Sequence, residues 1–318
     1  MSAPKTVFMF SGQGSQYFQM GQELFAHDRV FRYWMTRLDD MVHDLSGQSV
    51  LAALYSPKHR KSDAFERTLL THPAIFMVEY SLAQALIHEN VLPDLTLGAS
   101  LGSFAAATVA GLLDVEDALR AVVRQAALLE ECCEPGGMIA ALADPALYAE
   151  EFLCQRSELA AVNFAAHFVV SSQRSQLAEI EAGLNERKLT YQRLPVAFAF
   201  HSRWIDEARA PFVAFLRSMR HKRGTLPMVC CDRAAVLDAV PDDYFWSIAR
   251  NAIRFPAAIA RLEEQGPYRY IDLGPAGTLA TFMKYGLLGA SRSTTHVVLT
   301  PFGLDQRNMA ALCAAWRH

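Results

Sequence analysis

An excess of charge of either sign is missing from this chain. Its 318 residues hold 30 Lys and Arg against 33 Asp and Glu, a formal net charge of −3. That balance leaves no general electrostatic footprint for nucleic acid. No apolar run approaches the roughly 20 residues of a membrane-spanning helix. The stretch Val7–Phe10 is too short for the core of a signal peptide and reads as a strand. Ordered cysteine spacing is also lacking. Cys132, Cys133, Cys154, Cys230, Cys231 and Cys313 make two adjacent pairs and two singles, which fits neither a zinc site nor a disulfide framework. A reducing cytoplasm, no metal and no membrane are the expectations. Ser11-Gly12-Gln13-Gly14-Ser15-Gln16 is glycine-rich, but no Lys-Ser/Thr follows it, which excludes a Walker phosphate loop. Internal repeats and low-complexity tails are absent. What remains is 52% hydrophobic and 20% charged, ample for a globular core of one large domain or two.

The stretch Thr96–Ser103 organises the rest. Leu92–Leu97 reads as a short buried strand, and Phe104–Val109 opens an alanine-rich helix. Between them Gly98-x-Ser100-x-Gly102 is a GxSxG pattern in the strand–turn–helix context of a nucleophile elbow. The helix start behind Ser100 offers free N–H groups to an oxyanion. A serine needs a base. Of ten histidines, His201 is favoured because an apolar run precedes it; on that ground alone a buried core histidine fits equally.

Ala74–Glu89 and Leu112–Glu131 read as long helices, Trp204–Arg220 as another, and Tyr244–Ile253 as an aromatic one. Residues 136–196 have a different rhythm. Strands at Gly137–Leu142, Leu159–Phe164, His167–Ser172 and Thr190–Val196 alternate with helices at Ala146–Gln155 and Ser175–Lys188. The order β-α-β-β-α-β is ferredoxin-like. It predicts a small subdomain, 136–196, inserted into a larger α/β body, 1–135 and 197–318, with the site in the cleft between them.

Five stretches occur in order: Phe10–Gln16, Gly98–Gly102, Phe200-His201-Ser202, Asn251–Phe255 and Asp272–Pro275. Together they resemble the malonyl-CoA:acyl-carrier-protein transacylases and the acyltransferase domains of polyketide synthases. The resemblance covers nearly the whole chain. It implies an α/β-hydrolase-like body with a ferredoxin-like insert, Ser100 as nucleophile and His201 as base. It implies an oxyanion hole from the backbone N–H groups of Gln13 and Leu101. The histidine is oriented in that family by a main-chain carbonyl, which the match assigns to Arg254. Asn163 falls near the family's asparagine in the small subdomain.

Four departures bear on substrate. Ala99 and Ser103 stand where the family has His and Glu, and His72 stands in place of a Gln before Pro73. Malonyl-specific members carry an arginine about 25 residues after the serine, to grip the carboxylate. The count gives Gln125. Arg124 is next to it, but one helical step turns a side chain by about 100°, so Arg124 should face elsewhere unless the helix slips by one residue. A pocket with Gln125, Phe198 and Phe200 suits neutral acyl groups. The departure resembles the discrete acyl hydrolases of trans-acyltransferase polyketide synthases, which would make this chain a hydrolase of acyl thioesters on acyl carrier protein. A transacylase loading malonyl or another unit, and a non-catalytic docking protein, are the alternatives. No cofactor is expected beyond the phosphopantetheine that the substrate brings, and a monomer is expected. An acidic carrier protein would meet either Arg217, Arg220, Lys222 and Arg223 or Lys58, Arg60 and Lys61; a solvated helix end is the simpler explanation.

Overall fold

The computed structural model describes residues 4–220, 222–237, 239–286 and 291–316; His221 lies outside them. Ten strands are formed among these residues: β1 Lys5–Phe10, β2 Leu95–Gly98, β3 Gly136–Leu142, β4 Glu158–Phe164, β5 His167–Gln173, β6 Thr190–Arg193, β7 Met228–Cys230, β8 Ala235–Leu237, β9 Tyr268–Asp272 and β10 Thr294–Val297. The sequence KTVFMF of β1 has no polar alternation after Thr6, the mark of a strand covered on both faces. It sits inside a six-stranded sheet of order β10-β9-β1-β2-β7-β8, parallel except for the β7–β8 pair. Phe8 and Phe10 point into one apolar cluster, which holds helix Thr68–His88, while Val7 and Met9 point into another with helices Phe255–Glu263 and Thr278–Gly286.

Helix Thr68–His88 is buried around most of its circumference. A helix apolar on all sides belongs in a core. It begins at Thr68, earlier than the Ala74 expected from Pro73, which lies inside the helix. The strand before the elbow is shorter than expected: Leu92 is exposed and pairing begins at Leu95. The stretch from Trp204 divides into a 3-10 turn, Arg203–Ala208, and a helix, Arg209–Leu216.

Residues 136–193 carry the second sheet, antiparallel, of order β4-β5-β3-β6. With helix Arg174–Glu186 after β5 and a short helix, Glu151–Cys154, before β4, this is the ferredoxin-like arrangement. Its strand β3, GGMIAAL, works on both faces. Ile139 and Ala141 pack on Leu177, Ile180 and Leu184 beneath the insert's helices. Met138 and Ala140 face the other way, over the large body. The insert therefore roofs the C-terminal end of β2. A parallel bridge between Ala161 and Ile253, with the Ile253 N–H on the Ala160 carbonyl at 2.8 Å, ties it to the body. No helix among the described residues is long and apolar enough to cross a membrane.

Candidate active site

Strand β2 ends at Gly98, and helix Gly102–Val109 starts four residues on. The chain can turn that sharply only because the two glycines are bare. A Cβ on Gly98 would sit 2.3 Å from the Cα of Ser103, and one on Gly102 would sit 2.3 Å from the carbonyl oxygen of Phe10. The turn forces Ser100 to φ +53°, a left-handed conformation that costs a side-chain-bearing residue roughly 1–3 kcal/mol. The surrounding packing supports that strain and lifts the hydroxyl above the sheet.

His201 meets it there. Ser100 Oγ lies 2.9 Å from His201 Nε2. On the other side of the ring, Nδ1 is 2.7 Å from the carbonyl oxygen of Asn251. A carbonyl only accepts, so Nδ1 carries the proton and Nε2 presents its lone pair to the serine hydroxyl. Burial pushes the His201 pKa down to about 4; the Asn251 carbonyl works against that shift, and the nearby Arg250 charge adds to it. At neutral pH the ring is an unprotonated base. The residue is also held by its backbone N–H, which donates to the Ala249 carbonyl at 2.8 Å.

The orienting carbonyl was expected from Arg254 and comes instead from Asn251. Arg254 precedes helix Phe255–Glu263, and its carbonyl is taken by the Ala258 N–H at 3.0 Å, while its own N–H goes to Cys231. Asn251 follows helix Tyr244–Arg250 in extended geometry, φ −85° and ψ 155°. Its N–H closes on Ser247 and its carbonyl turns out toward His201. The aromatic helix thus ends at Arg250 and not at Ile253, and that early end frees the carbonyl.

A cavity of about 270 Å³ opens above this pair. The loop Ser11–Ser15, Ala99, Ser100 and His201 form its floor, Met138, Ala140, Val169 and Leu194 its roof, and Ile253, Phe255, Leu279 and Phe282 its side. Of the residues expected to contact substrate, Ala99, Asn163 and Phe200 line it. Asn163 Nδ2 is 3.0 Å from Nδ1 of His167, which also faces the cavity. A second, apolar cavity of about 500 Å³ shares Asn163, Phe255 and Phe282 with the first.

His72, Gln125 and Phe198 are buried but do not line the cavity, which corrects their expected role. The polar groups of His72 and Gln125 are spent on each other and on their neighbours. Gln13 Nε2 lies 2.9 Å from Thr71 Oγ1 and also contacts His72 Nδ1. His72 in turn bonds the Gln125 side chain, and Gln125 Nε2 reaches the Phe245 carbonyl at 3.3 Å. The His72 ring packs on Phe200 with centroids 5.5 Å apart. Burial holds the His72 pKa down at about 3, so this chain of contacts carries no charge. The helical phase itself is as expected: Gln125 faces inward, and Arg124 lies at the surface, 3.7 Å from Glu131. No lysine or arginine lines the cavity among the described residues. No cluster of three or more metal-ligating side chains occurs among them.

The cavity roof was not anticipated residue by residue. Alternation along β3 was the available signal for Met138 and Ala140. Phe282 and Leu279 belong to a helix beyond the last motif and had none.

The acyl transferase domain family matches residues 7–315. The polyketide biosynthesis acyltransferase homolog BaeD of Bacillus velezensis is 44% identical over 304 residues, covering 95% of this chain and 94% of that protein. The homolog PksD of Bacillus subtilis is 40% identical over 304 residues, with the same coverage. Among solved structures, the acyltransferase domain from the second module of the salinomycin polyketide synthase superposes with a TM-score of 0.85 at 28% identity, over 99% of this chain and 74% of that one.

Proposed function

Because the chain belongs to the acyl transferase domain family, we propose that it removes neutral acyl groups from phosphopantetheine thioesters on acyl carrier proteins of a polyketide synthase and passes them to water. The observation that carries this reading is a cavity beside Ser100 with no lysine or arginine in its wall. The two histidines that do face it, His167 and His201, both have pKa values lowered by burial. A malonyl carboxylate would enter without a partner, and an unpaired buried charge costs about 2–5 kcal/mol. An acetyl or longer neutral chain meets Ala99, Phe200 and the apolar roof, with the uncharged side chains of Asn163 and Gln192 also in the wall.

The reaction has two halves. Ser100 Oγ attacks the thioester carbon as its proton passes to His201 Nε2, and the N–H groups of Gln13 and Leu101 take the oxyanion. The C–S bond breaks, and the carrier thiolate leaves with the proton from His201. Water then attacks the acyl-Ser100 ester, giving its proton to His201, and Ser100 departs with that proton as the free acid is released. The Asn251 carbonyl steadies the transient imidazolium by accepting from Nδ1. A carrier thiol in place of water would make the same machinery a transacylase. A pocket unsuited to carboxylated units argues against a loading role and for clearance. Incubation of the protein with acetyl-carrier protein tests this: free acetate and unacylated carrier are expected, whereas acetyl moved intact to a second carrier protein would assign transfer.

A further inference from the structure

The loop Ser11–Ser15 supplies the cavity floor opposite the elbow, and the reaction just described uses only one of its peptides. Ser15 is buried, and its Oγ–H donates to the carbonyl of Gly12 at 2.8 Å. In a trans peptide the C=O and N–H point in opposite directions. Fixing the Gly12 carbonyl therefore fixes the Gln13 N–H. That carbonyl is turned toward a buried hydroxyl pair, for Ser11 Oγ lies 3.0 Å from Ser15 Oγ. The Gln13 N–H faces the other way, toward the elbow. There Gly12 approaches so closely that a Cβ on it would stand 2.8 Å from Ser100 Cβ and 3.4 Å from the Leu101 nitrogen.

Behind Ser15 stand Ser11 and Glu79. Ser15 has one proton and gives it to Gly12, so it accepts from Ser11. Glu79, fully buried in helix Thr68–His88, accepts the Ser11 N–H at 2.7 Å and lies 3.0 Å from Ser11 Oγ. Burial raises its carboxyl well above the ordinary range, with the Ser11 hydrogen bonds working against that shift.

We infer that Ser15 is a positioning residue for acyl transfer, holding the Gln13 N–H on the oxyanion through the Gly12 carbonyl, with Ser11 and Glu79 as its buried anchor. The inference rests on the acyl-Ser100 reading above. It is tested with Ser15→Ala, which removes the donor and adds no volume. With an acetyl thioester of N-acetylcysteamine, acylation of Ser100 should slow by about 10- to 100-fold at nearly unchanged KM. Affinity for a trifluoromethyl ketone analogue, which becomes an oxyanion adduct on Ser100, should fall by the same factor. Ser15→Cys, close in size but a weak donor, should fall between the two and serves alone if the alanine variant does not fold. A folded variant that acylates and binds the ketone as the wild type does overturns the positioning role. A wild type that is never acylated overturns the acyl-transfer reading instead.

Discussion

Two lines of hydrogen bonds in this molecule have the same parts. Each passes through a buried neutral histidine and ends on a backbone carbonyl: Ser100–His201–Asn251 in one, Gln13–His72–Gln125–Phe245 in the other. Burial lowers both histidines by a similar amount, to about 4 and about 3. In the first the histidine itself lines the cavity; in the second only Gln13, at the end of the line, does. A depressed pKa therefore does not pick out the base. What separates the two is the acceptor side. His201 Nε2 faces a hydroxyl on a strained turn at a cavity wall. His72 is enclosed between the side-chain amides of Gln13 and Gln125. Under the proposed function, the second line fills the place where a charged substrate group would need a partner, and the first would act on a neutral acyl group.

Breaking the first line should have the largest effect. Ser100→Ala should abolish acyl-enzyme formation with every thioester, read by intact mass. His201→Gln should slow acylation by about 10²- to 10⁴-fold with the fold retained, whereas His72→Gln, away from the cavity wall, should leave the rate within about 10-fold of wild type. Equal losses from the two substitutions would remove the distinction drawn here.

Opening the second line is next. Gln125→Arg puts a donor-only guanidinium where His72 and the Phe245 carbonyl have a matched amide. The mismatch should destabilise the protein by about 1–3 kcal/mol, measured by urea denaturation. The double variant His72→Gln/Gln125→Arg gives the cation an amide neighbour. It should recover stability and gain acylation by malonyl thioesters of up to about 1–3 kcal/mol. A single variant as stable as the wild type would show that the line is not closed.

The effect of pH should be smaller over the usual range. The reactive form of His201 is the neutral one, and its pKa is lowered, so protonation competes only in acid. The acylation rate should stay level from about pH 8 down to about pH 5 and then decline through about pH 4. A rate that falls already between about pH 7 and 6 would place His201 at its ordinary value and contradict its burial.

Carrier docking is the smallest expected effect. Both basic runs are exposed, and Lys222 is already paired with Asp114 at 2.5 Å. Reversing Arg217 and Arg220 to Glu should raise KM for acyl-carrier protein several-fold and leave small thioesters unchanged.

The elbow was legible in the sequence because everything it needs is local: a strand, two bare glycines and a helix within a dozen residues. The ferredoxin-like insert was legible for a similar reason, since its order of elements follows from periodicity alone. The orienting carbonyl was not. Asn251 and Arg254 sit in the same motif, and the choice between them depends on where helix Tyr244–Arg250 ends and which carbonyl the next helix consumes. Gln125 faces inward as expected, but its partners lie 53 and 120 residues away at His72 and Phe245, counted as 125 − 72 and 245 − 125. No pattern within a helix reveals that such a residue is sealed behind the cavity. The edge strands β8 and β10 are three and four residues long and carry too little alternation to be read.

The most direct test of the account is a competition. Wild-type protein mixed with equal acetyl- and malonyl-carrier protein, sampled over time by intact mass, reports which acyl group reaches Ser100 first. The cation-free cavity calls for acetyl-Ser100 in excess by about 10-fold or more, appearing and then decaying to free acetate. Malonyl-Ser100 in excess would mean that a cation reaches the cavity after all, and the neutral-acyl reading would fall with it.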